Sequence, residues 1–132
     1  MRVIDASVIV AFLLKEPGWK DLGEIVKRGV SVDLVLKEVA NAIWKEYSLR
    51  KRIDRETAVE LYKVLTSLTT YNIELEPEHK YLEKAFEIAL DNSITIYDAL
   101  YIVLAKEKNL ELATLNDKQA RIARKLGIGI VP

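Results

Sequence analysis

Cysteine is absent from this chain, and histidine and methionine occur once each. Without cysteine there is no disulfide scaffold, no thiolate zinc site and no cysteine nucleophile. The lone His79 stands in Glu76-Pro77-Glu78-His79-Lys80, where it reads as an exposed residue in the first turn of a helix. One histidine excludes two-histidine nuclease chemistry and His-Glu-x-x-His zinc chemistry, and no nucleophile elbow accompanies it for a serine triad. Glycine is scarce, at five residues. No Gly-x-Gly-x-x-Gly follows a strand and no P-loop is present, so the phosphate cradles of dinucleotide and P-loop folds are missing. Net charge is missing too: Lys plus Arg and Asp plus Glu both total 20. A nucleic-acid partner therefore gets no support from the overall balance, and only local basic patches remain. Apolar runs are too short and interrupted for a membrane span, and the first residues lack a signal-peptide layout, so the cytoplasm is the expected location.

What is present is an ordinary globular balance, 50% hydrophobic and 30% charged over 132 residues, expected to form one domain over residues 1–132. The pattern alternates short apolar runs with longer helical periods. Strands are expected at Arg2–Asp5, Val30–Leu34, Tyr71–Leu75, Leu110–Leu115 and Gly127–Val131. Helices are expected at Ala6–Lys15, from beyond Gly18 to about Arg28, at Leu36–Arg50, after the cap Asp54, from Pro77 to about Leu90, at Thr95–Lys108 and at Lys118–Leu126. On the third, Leu36, Val39, Ala40, Ile43, Trp44 and Tyr47 recur at helical spacing; on the fourth, Leu61, Val64, Leu65 and Leu68 form the apolar face. Strand–helix alternation with helical crossovers predicts a three-layer α/β/α fold around a mostly parallel sheet of four or five strands. Ligands of such sheets bind beyond the carboxyl ends of the strands.

Four acids sit where a carboxylate is locally expensive: Asp5 after Val3-Ile4, Glu38 within Leu34-Val35-Leu36-Lys37-Glu38-Val39-Ala40, Asp98 within Ile96-Tyr97-Asp98-Ala99-Leu100, and Asp117 after Leu115-Asn116. Two explanations compete. The acids are helix caps and ion-pair partners, with Asp5 capping the helix from Ala6, Glu38 pairing with Lys45 or Asn41, and Asn116 or Asp117 opening the last helix. Or they converge on a hard cation, Mg2+ or Mn2+, for which oxygen donors without histidine or cysteine are suited. Such a site activates water against a phosphodiester and makes the scarcity of histidine unsurprising.

Val3-Ile4-Asp5-Ala6-Ser7, Glu38 with Asn41-Ala42, Thr95-Ile96-Tyr97-Asp98-Ala99-Leu100-Tyr101 and Leu112-Ala113-Thr114-Leu115-Asn116-Asp117 together resemble the PIN-domain family, and within it the VapC-type toxins of prokaryotic toxin–antitoxin pairs. The resemblance spans essentially the whole chain, with the motifs in family order. It implies a PIN-like fold and a Mg2+- or Mn2+-dependent endoribonuclease. Asp5, Glu38 and Asp98 match the family's metal-binding acids, and Ser7 and Thr114 its small hydroxyl positions. It also implies a homodimer and a small antitoxin as partners. The fourth motif departs from the pattern: relatives usually read Thr-x-Asp, which places Asn116 at the acid and Asp117 one residue later. Both are kept as metal-site candidates, with Asp117 also a catalytic one. A missing charge there weakens any second metal.

Two basic groups are candidates for RNA phosphates: Arg50 and Arg52 in the cluster Arg50-Lys51-Arg52, and Lys118, Arg121 and Lys125 on one face of the last helix. Solvated helix faces are the simpler explanation of both. Trp44 and Tyr47 read as core or as a groove for a second copy or an antitoxin. The competing function is a non-catalytic RNA- or protein-binding module on the same fold, for which the altered fourth motif speaks. A phosphorylation receiver is a third reading, since Asp33 ends a predicted strand, but the opening strand carries one acid where a receiver needs a pair.

Overall fold

A computed structural model describes all of residues 1–132. The strands are β1 (Arg2–Ile4), β2 (Gly29–Val32), β3 (Ile73–Glu76), β4 (Leu112–Ala113) and β5 (Ile130–Val131). The helices are α1 (Ala6–Leu13), α2 (Gly23–Val26), α3 (Leu34–Ser48), α4 (Arg55–Tyr71), α5 (Leu82–Asn92), α6 (Ile96–Lys108) and α7 (Asp117–Lys125). The five strands form one sheet in the order β3-β2-β1-β4-β5, and every pairing is parallel. Helices α1 to α4 pack with one another, and α6 packs against α5, α7 and strands β1, β2 and β4. The expected α/β/α arrangement is thus present.

Chirality accounts for this distribution. From β1 to β2 to β3 the chain steps outward one way; from β3 it returns past β1 to β4 and then β5. A right-handed crossover places its helices on opposite faces for opposite directions of travel. The direction reverses between β1 and β4, and it is beyond the carboxyl ends of the strands at such a switch point that open parallel sheets bind ligands. Asp5 and Thr114 follow those two strands directly.

The core explains which sequence positions had to be apolar. Val3 and Ile4 of β1, Val30 and Val32 of β2, and Leu112 and Ala113 of β4 are buried, since a parallel sheet is covered on both faces. Helix α6 runs through the middle, and Ala99 to Ala105 are all buried. Gly29 opens β2 because a Cβ there would stand 2.3 Å from Ile4 Cδ1 and 2.9 Å from the Arg2 carbonyl oxygen.

Several expectations need correction. The helical stretch beyond Gly18 is broken into a 3-10 turn at Trp19–Leu22 and the short α2. The helix expected from Pro77 begins with a 3-10 turn at Glu78–Tyr81 before α5. Tyr71 belongs to α4 rather than to the third strand, and β4 and β5 are only two residues each. Asp33 lies beyond β2, and its carboxylate accepts the Glu78 N–H at 3.0 Å, which ties the start of α3 to the turn after β3. On α3, Val39 and Ile43 are buried, whereas Trp44 and Tyr47 are 51% and 40% exposed. On α4, Leu65 is the one buried residue and Val64 faces outward. We expect Leu65→Ala to cost about 2–5 kcal/mol and Val64→Ala to stay within about 0.5 kcal/mol, read by urea unfolding. Equal losses would contradict this facing of α4.

No single helix is long and apolar enough to cross a membrane.

Candidate active site

Asp5 directly follows β1 and caps α1: its Oδ1 accepts the Val8 N–H at 3.2 Å and the Ser7 hydroxyl at 2.6 Å. Its Oδ2 receives the Thr114 hydroxyl at 2.5 Å from the loop after β4. The capping explanation therefore describes the local geometry, but a surface cap would suffice for that purpose. Asp5 is instead 3% exposed. Burial pushes its carboxyl up to about 6, against the lowering by Ser7, Thr114 and Val8, and the charge of Asp98 adds to the rise.

Asp98 lies in the first turn of α6, where Thr95 caps the helix and its Oγ1 accepts the Asp98 N–H at 3.1 Å. The carboxyl is half-buried. Burial raises its pKa, opposed by hydrogen bonding with Thr95 and by the charge of Lys118. Glu38 projects from α3 and accepts the Tyr101 hydroxyl of α6 at 2.5 Å, rather than pairing with Lys45 or Asn41. Its pKa is also raised, first by burial and then by the charges of Asp98 and Glu78, while Tyr101 opposes. The Tyr101 hydroxyl is in turn strongly raised, by burial first and then by Glu38, Asp5 and Asp98. Asp98 acts on both other acids and all three act on Tyr101, so acids from segments far apart in sequence share one electrostatic neighbourhood around that hydroxyl.

No lysine or arginine makes an ion pair with Asp5, Glu38 or Asp98. Glu46 shows the alternative. It is 6% exposed, and Arg50 and Arg52 stand 2.5 and 3.8 Å from its Oε1. Where this fold buries an acid for structure alone, arginines from the same region compensate it. The three acids at the strand ends accept from hydroxyls and amides instead, which orient a carboxylate without neutralising it, and only Asp98 feels a nearby cation, Lys118, outside ion-pair distance. An all-oxygen set with unspent negative charge fits a hard divalent cation. As the side chains stand, no three acids close on one point at ligand distance. A cation that is held by one or two carboxylates and keeps its waters, as Mg2+ prefers, needs no such closure.

Asn116 is the N-cap of α7, its Oδ1 accepting the Gln119 N–H at 3.1 Å. Asp117 is exposed and makes no hydrogen bond or ion pair of its own. Ser7 and Thr114 both touch Asp5, and Ser7 Oγ also accepts the Leu115 N–H at 2.9 Å. Lys118 opens α7 within electrostatic reach of Asp98, with Arg121 and Lys125 exposed further along the helix. Arg50 and Arg52 pair with Glu46 and make no ion pair with these acids.

Two further residues belong to the site. Tyr101 is legible in principle, lying one turn after Asp98 on the same helix. Gln119 is half legible: Asn116-x-x-Gln119 is the spacing of a helix-capping pair. Its reach to the Asp98 carbonyl, at 2.9 Å across 21 residues, is not.

A parallel sheet with three acids gathered at its switch point defines an open α/β protein with an acidic candidate site. The PIN domain model matches residues 2–125, and the chain belongs to the PIN-domain family. It is 34% identical over 128 residues to Ribonuclease VapC3 of Pyrobaculum aerophilum, covering 89% of this chain and 91% of that protein. It is 30% identical over 113 residues to Exonuclease VapC9 of the same organism, covering 85% of this chain and 77% of that one. Its fold is similar to the crystal structure of PAE2754 from Pyrobaculum aerophilum, with TM-score 0.72 and 25% identity over 98% of this chain and 90% of that chain.

Proposed function

We propose that this protein is a divalent-metal-dependent endoribonuclease, Mg2+ or Mn2+ serving as cofactor, and that it acts as the toxin of a toxin–antitoxin pair. The observation that supports this most is the set of three carboxylates, Asp5, Glu38 and Asp98, gathered at the strand ends with Asp98 acting on the other two and none of them in an ion pair with a lysine or arginine. A relative that carries the name of a ribonuclease supports RNA as the substrate class, and one named as an exonuclease supports nuclease chemistry.

The bound ion would supply Lewis-acid activation of a water and charge stabilisation at the phosphodiester. This chain's residues do the rest. Ser7, Val8 and Thr114 fix both oxygens of Asp5, so little side-chain ordering remains when it engages a ligand. Tyr101 holds Glu38 in the same way from α6. Lys118 beside Asp98, with Arg121 and Lys125, is placed to draw RNA phosphates to the site by contacts that position without reading sequence. The apolar groove between α3 and α4, with Ile43, Trp44, Tyr47, Val59 and Tyr62 in its lining, suits an antitoxin segment. The exposed Leu82, Phe86 and Leu90, spaced by four along α5, suit a second copy in a homodimer.

The test is cleavage of linear single-stranded, structured and circular RNA by protein purified free of any partner, in Mn2+, Mg2+ and EDTA. Cutting of the circle with either metal and none in EDTA is expected. Cutting of free ends alone would make the activity exonucleolytic. No cutting with folded, metal-loaded protein would favour the second reading, a non-catalytic binding module. One observation speaks for that module: Asn116 brings no charge to the fourth motif and its side-chain oxygen is spent on the α7 cap.

A further inference from the structure

Gln119 is 1% exposed, yet it lies near the start of a helix whose sequence is otherwise mostly charged. Its Nε2 donates to the main-chain carbonyl of Asp98 at 2.9 Å. Its Oε1 lies 2.9 Å from Thr114 Oγ1, and that hydroxyl lies 2.5 Å from Asp5 Oδ2. Its own N–H caps onto Asn116. Only the nitrogen end of the amide can face a carbonyl, so the Asp98 contact fixes which way the side chain points. The Thr114 hydroxyl has one proton, given mainly to Asp5 Oδ2 at the shorter distance and shared with Gln119 Oε1, so a buried set of polar contacts, the middle one a branch of that shared proton, runs from the Asp5 carboxylate through Thr114 and Gln119 to the backbone that bears Asp98.

We propose that Gln119 is a positioning residue that sets the separation of Asp5 and Asp98. The two acids lie in different segments, directly after β1 and in the first turn of α6, and no direct hydrogen bond joins them. Their spacing is otherwise left to apolar packing, which tolerates shifts of a few tenths of an ångström more readily than a directional bond does. Thr114 alone could orient Asp5 but could not register it against α6. A buried glutamine side chain is costly unless each end is engaged, and a leucine or methionine would fill the same space more cheaply. The amide's geometry, rather than its volume, is what the site uses.

This inference rests on the metal-site reading above, and the test separates the two. Mn2+ affinity of wild type, Gln119→Met and Gln119→Asn would be measured by electron paramagnetic resonance in the absence of RNA, with thermal unfolding of the metal-free proteins and RNA cleavage alongside. The methionine keeps the volume and loses both polar ends; the asparagine keeps the amide but is one methylene too short to span the gap. Both variants are expected to fold and to bind Mn2+ about 10- to 100-fold more weakly, the usual effect of losing a group that orients a ligand. Cleavage should recover in part at high Mn2+. If the methionine variant does not fold, the asparagine variant decides. Folded variants that bind Mn2+ as wild type does would overturn the positioning role, whatever their melting temperatures. Wild type that binds Mn2+ without cutting RNA removes the nuclease reading only, and the affinities still judge Gln119. Wild type that binds no Mn2+ overturns both.

Discussion

Asp98→Asn is expected to lower metal-dependent RNA cleavage by at least about 100-fold while the protein remains folded. Groups that merely orient metal ligands are worth about 10- to 100-fold, and a carboxylate at the site itself should exceed them. The substitution is nearly isosteric and leaves the Thr95 cap in place, since the cap is made by the Asp98 main-chain N–H. The charged side chain is disfavoured where it stands, its pKa being raised by burial, so the neutral amide should not lower the melting temperature of metal-free protein. Cleavage rates and thermal unfolding in EDTA check the two halves together. A variant that cuts as fast as wild type would remove Asp98 from the catalytic set. A variant that has lost its fold would return it to the role of a structural residue.

Asp5→Asn is expected to abolish cleavage and, unusually for a buried polar site, to stabilise the metal-free protein near neutral pH. The folded-state pKa is raised from 3.8 to about 6, so between those values the folded protein holds a proton that the unfolded chain has released. Stability contributed by this group is fully present below about pH 4, falls as pH rises toward 6, and stays lost above it. A rise of this size corresponds to something on the order of 2–3 kcal/mol. Asparagine keeps an oxygen for Val8 and Ser7 and offers an N–H to Thr114, so it mimics the protonated acid without titrating. Urea unfolding in EDTA from pH 4.5 to 7.5 should show wild type losing stability across the range relative to the variant. Excess Mn2+ should restore wild type and leave the variant unmoved, since only a ligand bound to the folded state stabilises it. Parallel pH profiles for the two proteins would mean that Asp5 does not carry an unspent charge in the fold.

Such a site trades stability for readiness. Glu46 and Asp5 are both buried acids, but Glu46 has Arg50 and Arg52 as permanent partners while Asp5 has only neutral donors. The fold closes the first charge into its structure and leaves the second available. In sequence, Arg50 and Arg52 look like phosphate ligands; in the structure both also face a buried glutamate one helical turn and more before them.

Local patterning was enough for the architecture. Alternating strand and helix periods, with no hairpin-length connections, admit little besides a parallel sheet covered on both faces, because each strand must be brought back by a crossover. The acids Asp5, Glu38 and Asp98 were visible for a related reason: each interrupts a run whose neighbours are destined for the core, and the cost of burying a carboxylate makes the interruption conspicuous. Element ends slipped by a few residues where the same apolar residues suit either state, as at Tyr71 and Val30–Leu34. Facing was less legible. Helical spacing puts Trp44 and Tyr47 of α3 on an apolar stripe, but a stripe does not say how much of itself a neighbour will cover, and α4 leaves both open. The partners of each charge were not legible at all. Whether Glu38 meets Lys45 or Tyr101, whether Arg50 meets a phosphate or Glu46, and whether Gln119 merely caps α7 or also grips Asp98 depend on groups brought together across tens of residues, and hydrogen bonds of about 3 Å are decided by packing that no one-dimensional period encodes.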